Sequence, residues 1–338
     1  MKQRPVNSNC ELMTPERLRA HWFGKDRVPF WNYDPSQLTM GLEIEYFIGK
    51  QTKSGYQLAT KAQYMEVISH LCRDAAYHDR SLKDQPGRVS KDTERGFIAI
   101  KPDFAWHILE IALPPRHSTE EIRSLLEKTF AEVDAALAKV GLERLDISCL
   151  PDVPEAMELV ELDRLSGFNP GPCSEIDSEV ARVFPALIVA THVHINCSDE
   201  DFLRLMPKLY ESDVEAQKKY TRAKNFRNDS YENVRTMLYQ RSMGKNYGLV
   251  TVPKFIPNSL NDYSDIYNQS EKIFPHDKFF PVRDMSYIRP TKHGTIEFRS
   301  ACSFKSVQMI LDVCLFRRHQ VEQAVVPHEL SKAVGGDR

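Results

Sequence analysis

Hydrophobic and polar residues alternate along several stretches of this chain, and in others the apolar positions recur every three or four residues. The run "MGLEIEYFIG" (40–49) is of the first kind. In an extended strand, Leu42, Ile44 and Tyr46 share one face and Glu43 and Glu45 the other. "GFIAIKPDFAWHILEIALPP" (96–115) reads as two short strands with a turn near Pro102–Asp103, the double proline ending the second. "RLDISCL" and "ALIVATHVHINCS" (186–198) predict further strands, and "SYIRPTKHGTIEFRSACS" (286–303) a hairpin turning near His293–Gly294. Helical spacing marks 61–78, with Met65, Ile68, Leu71, Cys72 and Ala75 on one side. It also marks 118–141, where Ser118 caps, Glu120 and Glu121 fill the first turn and Gly141 follows the end. Three more helices are predicted from Asp199 to about residue 222, around 231–243 and over 306–325. Two stretches, 151–178 and 244–285, read as loop or irregular chain.

Strands separated by long helices and joined by hairpins predict an α+β fold with a largely antiparallel sheet. The expected organisation is a polar N-terminal arm (1–39), one domain (40–326) and a tail (327–338). With 338 residues and 41% hydrophobic content, the chain can bury a large core. A formal net charge of -2 offers no basic footprint for nucleic acid. The seven cysteines are scattered, odd in number and without a CxxC pair, which argues against a disulfide framework and a zinc knuckle. No signal peptide or membrane span is legible, so a cytoplasmic, reducing setting is expected.

The polar faces of these strands carry the candidate chemistry. In "THVHINCS", His192, His194 and Asn196 share a face, a spacing that suits metal ligands and equally a hydrogen-bonded polar face. In "GTIEFRS", Glu297 and Arg299 share a face, ordinarily as an ion pair. Asp103 sits at a turn, and Glu110, alone in an apolar strand, reads as exposed. If the four faces line one surface, five carboxylates meet one arginine and a histidine, and unpaired charges there cost several kcal/mol per ion. Bound divalent cations remove that conflict, and an oxygen-rich set suits Mg²⁺ or Mn²⁺ better than zinc.

Taken in order, "GLEIEY" (41–46), "PDFAWHILEIALPP" (102–115), "HVHINCS" (192–198) and "GTIEFR" (294–299) resemble the glutamate–cysteine ligase and carboxylate–amine ligase superfamily, specifically its short amidoligases. The resemblance spans about residues 40–300. It implies a glutamine-synthetase-like core: a curved antiparallel sheet with helices on its convex side, whose concave face holds two or three Mg²⁺ (or Mn²⁺) ions and ATP. Carried over, Glu43 ligates one metal with His194 and Glu297, and Glu45 another with Asp103 and Glu110. His194 is favoured over His192 by aligning "HINCS" with the family's His-x-Asn-x-Ser pattern. Arg299 resembles the arginine that contacts the transferring phosphate, and Arg289 and Lys292 stand within reach of phosphates or on a solvated turn.

The implied activity is ATP-dependent amide-bond formation through an acyl phosphate, with γ-glutamyl transfer to an amine or amino acid among the reactions it covers. The partners are then ATP, a carboxylate donor and an amine acceptor, without nucleic acid or membrane. The competing readings are a guanidino kinase-like phosphotransferase, a non-catalytic nucleotide- or amino-acid-binding protein of the same fold, and a metallohydrolase using His192 and His194. The cysteines are expected to be free thiols without a catalytic role.

Overall fold

The computed structural model describes residues 14–23, 38–53, 55–82, 86–160, 178–196, 199–222, 224–243, 259–273, 287–291 and 294–325. Twelve strands and eight α-helices appear among them. In chain order these are α1 (Pro15–Phe23), β1 (Met40–Thr52), β2 (Gly55–Leu58), α2 (Lys61–Asp74), β3 (His78–Asp79), β4 (Val89–Thr93), β5 (Gly96–Asp103) and β6 (Ala105–Arg116). Then come α3 (Thr119–Lys139), β7 (Glu143–Arg144), α4 (Ser178–Val183), a 3₁₀ turn (Phe184–Leu187), β8 (Ala190–Asn196) and α5 (Asp199–Lys219). The remainder are β9 (Asn225–Phe226), β10 (Asp229–Ser230), α6 (Val234–Met243), α7 (Leu260–Ile273), β11 (Ile288–Pro290), β12 (Thr295–Cys302) and α8 (Val307–Val325).

The main sheet runs β11-β12-β8-β1-β6-β5-β4-β3, with β2 and β7 paired to the far end of β1. Every pairing is antiparallel. β1 is therefore central, flanked by β6 and β8. Its apolar side, Leu42, Ile44 and Tyr46, is buried, and Tyr46 meets Phe130 of α3 edge-on at 5.7 Å. Helices α2 and α3 pack on β6, α5 on β12 and α8 on β8. Burial of this one face against helices is the main apolar contribution to the fold.

Local chemistry fixes the element ends. Ser118 accepts from the Glu121 amide while Glu121 accepts from the Ser118 amide, a reciprocal cap that starts α3. Thr60 and Gln63 do the same for α2. The buried face of α2 is Tyr64, Val67, Ile68 and Leu71, one step round from the expected face, and Met65 is exposed. β6 is longer than expected, because Pro114 and Pro115 stay in the strand and Arg116 pairs with Met40 across a register shift. "RLDISCL" (144–150) contributes only Arg144, the second residue of β7, and an isolated bridge from Cys149 to Ile188, and the Ser148 hydroxyl donates to the Ser303 carbonyl. The stretch expected to be irregular contains α7, capped where Ser259 and Asp262 exchange hydrogen bonds, and its Tyr263 is buried beside Phe202 and Tyr210.

Behind the sheet lies a buried ion pair, Arg317 of α8 to Asp213 of α5 at 2.6 Å, which also holds the Ser300 hydroxyl of β12. No helix among the described residues is long and apolar enough to cross a membrane. Cys72, Cys149, Cys302 and Cys314 are free thiols, and burial pushes the Cys314 thiol up to about 12. Cys10, Cys173 and Cys197 lie outside the described residues, as do the tail 327–338 and most of the N-terminal arm.

Removing Asp213 strands the Arg317 guanidinium in the interior. Asp213→Ala is expected to cost about 3–5 kcal/mol, whereas Asp146→Ala, which breaks the exposed pair with Arg222, costs at most about 1 kcal/mol. Urea unfolding of both variants checks the contrast. Equal losses would show that the interior pair is relaxed by water.

Candidate metal centre

The site is assembled by strand register. Directly opposed residues of antiparallel strands project to the same face. Glu45 opposes Glu110, and Glu110 opposes Lys101. On the other side of β1, Glu43 opposes His192. His194 opposes Glu297, which in turn opposes Arg289. One row of charged and imidazole side chains thus runs from β5 to β11 on the side away from the helices that cover Leu42, Ile44 and Tyr46.

Asp103 joins the row from the end of β5, where the ladder shifts register between Pro102 and Asp103, so that Asp103 pairs with Ala105. The turn is made by Phe104 in the left-handed region, φ 57°, a conformation that costs a bulky L-residue roughly 1–2 kcal/mol. Two backbone bonds hold it: Val160 donates to the Phe104 carbonyl at 3.0 Å, and Trp106 donates to the Glu158 carbonyl at 3.0 Å.

The row has two halves with different charge balance. The acid-rich half brings oxygens of Glu45, Asp103 and Glu110 within 4.8 Å of one another. Burial raises the Glu110 carboxyl to about 8, with Glu43, Asp103 and Glu45 adding to the rise against the pull of Lys101. Burial and then Asp103 raise Glu45 to about 7, against Arg235 and Arg299. The Ala190 amide donates to Glu45 at 2.9 Å. Lys101 Nζ lies 3.0 Å from Glu110 Oε1 as an ion pair, without the alignment of a hydrogen bond.

The other half gathers Glu43, His192 and Glu297 within the same 4.8 Å limit, and it is charge-balanced. Glu297 is almost wholly buried and receives Arg289 Nε at 2.5 Å and Arg299 at 2.7 Å. Burial opposes its ionisation, but the two guanidiniums outweigh burial and hold it well below the usual carboxylate range. Burial opposes ionisation of Glu43 too, and His192 and His194 outweigh it. His192 sits between the halves: Nδ1 is 3.5 Å from both Glu43 and Glu297, and Nε2 is 3.8 Å from Glu45. Burial, then Arg299, lowers its pKa to about 3, so the ring is neutral and able to offer a lone pair. Neither His192 Nε2 nor His194 Nε2 has a hydrogen-bond partner, although both atoms are buried.

Every residue expected from sequence that falls among the described ones lies on or beside this row; Lys292 lies outside them. Glu45, Asp103 and Glu110 lie together, the grouping that the resemblance implied. In the other, His192 stands with Glu43 and Glu297, because His192 and not His194 faces Glu43 across the β1–β8 ladder. His194 is close by, its Nε2 3.8 Å from Glu43 and its Nδ1 3.2 Å from the Thr295 hydroxyl. Glu110, read from sequence as exposed, is buried, with Glu45 of β1 opposite it on one edge of β6 and Lys101 of β5 on the other. The expected balance of five carboxylates against one arginine also needs correcting. Lys101, Arg235, Arg289 and Arg299 all act on the row. Lys101 was legible from its i, i+2 relation to Asp103. Arg235, a buried residue of α6 set against Tyr239 and Tyr287, carried no signal in sequence.

No protein-family model matches the chain, and no curated protein does. Among solved structures it is similar to a bifunctional glutathione synthetase from Pasteurella multocida at 14% identity and a TM-score of 0.37, with 88% of this chain and 40% of that one covered. It is also similar to GmaS, in a structure without ligand, at 11% identity and a TM-score of 0.38, covering 89% and 59%. A glutamine synthetase from Plasmodium falciparum follows at 9% and 0.35, covering 85% and 52%. The chain thus spans 40–59% of the length of these proteins. At such scores they carry no argument about activity, which rests on the site itself.

The acid-rich half makes a pH signature. Glu45 and Glu110 hold protons in the folded state that the unfolded chain has released, so their contribution to stability is largest at low pH and falls as pH rises towards 8. His192 works in the opposite sense, but only up to its ordinary value of 6.5. In chelator, unfolding free energy is therefore expected to fall between about pH 6.5 and 8, and Glu110→Gln to flatten that fall. Urea titrations at several pH values read it. An unchanged slope in the variant would remove Glu110 as the source.

Proposed function

We propose that this chain is an ATP-dependent carboxylate–amine ligase that works through an acyl phosphate. One observation carries the reading: two ligand groups, Glu45–Asp103–Glu110 and Glu43–His192–Glu297, lie on one sheet face beside two arginines. The donors are mostly carboxylate oxygens with one imidazole, which suits hard divalent cations such as Mg²⁺ or Mn²⁺. Buried, unpartnered His192 Nε2 and the raised pKa values of Glu45 and Glu110 fit cation binding. Glu45, Asp103 and Glu110 would hold one ion and Glu43, His192 and Glu297 another, with His194 as the alternative imidazole. Such ions neutralise phosphate oxygens and polarise the phosphorus they border.

In the first step a substrate carboxylate oxygen attacks the γ-phosphorus of ATP. A carboxylate O–P bond forms, the bond to the β,γ-bridging oxygen breaks, and ADP leaves. In the second an amine attacks the acyl carbon, inorganic phosphate departs with the C–O electron pair, and the amine nitrogen loses a proton. Both steps gather negative oxygens, so fixed positive groups supply the stabilisation. Arg299 and Arg289 have that role here. Glu297 holds both guanidiniums in place, and their planar forks match the geometry of a phosphoryl group. Arg235, near enough to Glu45 and Arg299 to affect both charges, adds to the positive wall.

Two measurements test the reading. Amine-dependent phosphate release from ATP is expected to need Mg²⁺ or Mn²⁺, zinc is not expected to replace them, and mass spectrometry is expected to find an amide. Phosphorylated substrate without amide would mark a kinase instead. Arg299→Lys keeps charge but loses the planar fork, and kcat is expected to fall by about a hundredfold or more at unchanged thermal stability. Unchanged kcat would leave Arg299 a structural partner of Glu297.

A further inference from the structure

The acid-rich half contains a cation of its own. Lys101 and Glu110 are direct cross-strand partners, and Lys101 and Asp103 share a face two positions apart on β5. The ammonium lies 3.0 Å from Glu110 Oε1 and is also attracted by Asp103 and Glu43. Glu110 is held inside the protein, whereas the Lys101 side chain is 35% exposed. The two partners therefore differ in freedom. The carboxylate is fixed by its strand, and the ammonium sits at the end of a four-carbon stem that reaches solvent.

We propose that Lys101 is the resident counter-ion of the Glu45–Asp103–Glu110 group, and that a divalent cation binds there by displacing its ammonium from Glu110. This rests on the cation-binding reading above and adds to it a residue that sets the affinity. An ion among three oxygens lying within 4.8 Å of one another would share the pocket with an ammonium already 3.0 Å from one of them. Two cations so close repel strongly even when screened. The lysine must leave, and its departure exchanges one ion pair for another. The arrangement keeps three crowded acids, two of them buried, tolerable before an ion arrives, and it weakens the ion's hold so that the ion exchanges readily. Neutral His192, with Nε2 3.8 Å from Glu45 and without a hydrogen-bond partner, imposes no such cost on an incoming ion.

The test uses the full chain, stripped with chelator and free of nucleotide, with Mn²⁺ alone as the probe. Binding is followed by calorimetry and by loss of the free-ion paramagnetic resonance signal. Lys101→Met keeps the stem and removes the charge, and its Mn²⁺ affinity is expected to rise about tenfold or more. Lys101→Arg, still charged, is expected to bind Mn²⁺ as weakly as the parent or more so. Adding Glu110→Gln to Lys101→Met is expected to cancel the gain, which assigns the effect to this half. Lys101→Gln serves as the second neutral variant should Lys101→Met fold poorly, as judged by thermal unfolding. Equal affinities in the parent and both neutral variants would overturn the role of Lys101 and leave the cation site standing. No Mn²⁺ binding in any of these proteins would overturn both. Tighter Mn²⁺ binding in Lys101→Met with no amide formed by the parent would support the lysine's role and sink the ligase reading.

Discussion

Like charges facing one another across a central strand are the constraint to which the rest of the site responds. Two ionised carboxylates within 4.8 Å of one another repel by about 3 kcal/mol or more at an effective dielectric near 20, which adds to burial in keeping protons on Glu45 and Glu110. Glu45 and Glu110 are placed in that situation by a ladder whose opposite face is fixed by the burial of Leu42, Ile44 and Tyr46. A one-residue slip of β1 would turn the glutamates into the core and the apolar side chains away from it, so register and charge stand or fall together. The repulsion is therefore not relieved by moving the strand. It is relieved by what the flanking strands bring: arginines from β11 and β12 on one side, a lysine from β5 on the other.

That difference between the sides gives the site its polarity. Glu297 meets two guanidiniums that anchor it and are anchored by it. The three acids at the other end meet the ammonium of Lys101 on a partly exposed stem, with Arg235 and Arg299 acting on Glu45 as well. His192, neutral and equidistant from Glu43 and Glu297 at 3.5 Å, lies where the two regimes adjoin.

Much of this was legible in the sequence because alternation has a short period and few exceptions. Once "GLEIEY" is a strand, the side of Glu43 and Glu45 follows, and the same holds for Glu297 and Arg299. What the alternation cannot give is which strands become neighbours. That His192 and not His194 faces Glu43 follows from the β1–β8 register, which no local pattern encodes. The burial of Glu110 depended on which strands flank β6, with Glu45 of β1 opposite it on one edge and Lys101 of β5 on the other. Arg235 reaches the site from α6 through tertiary packing alone. Helix α7 is a different kind of omission, since Ser259 and Asp262 already spelled its cap and the surrounding Tyr, Asn and Pro obscured it. The double proline of β6 misled because a strand tolerates proline where it needs no ladder donor.

The position of β1 in the sheet also sets an order of assembly. Its partner on one side, β6, follows within the same 77-residue span, 40–116, so β1, β6, β5 and β4 can pair while the rest of the chain is still unfolded. Its partner on the other side arrives much later: His192 is 149 residues from Glu43, and the Ala190 amide that tethers Glu45 is 145 residues away. Closing so long a loop is slow and comes after the local pairings. The strands that carry Glu43, Glu45, Asp103 and Glu110 are thus close neighbours in sequence, and among the described residues Lys101 is the cation of the row that those same strands provide. The topology thus gives the four acids one counter-charge that is local in sequence, while the guanidiniums that act on the row come from chain more than a hundred residues away.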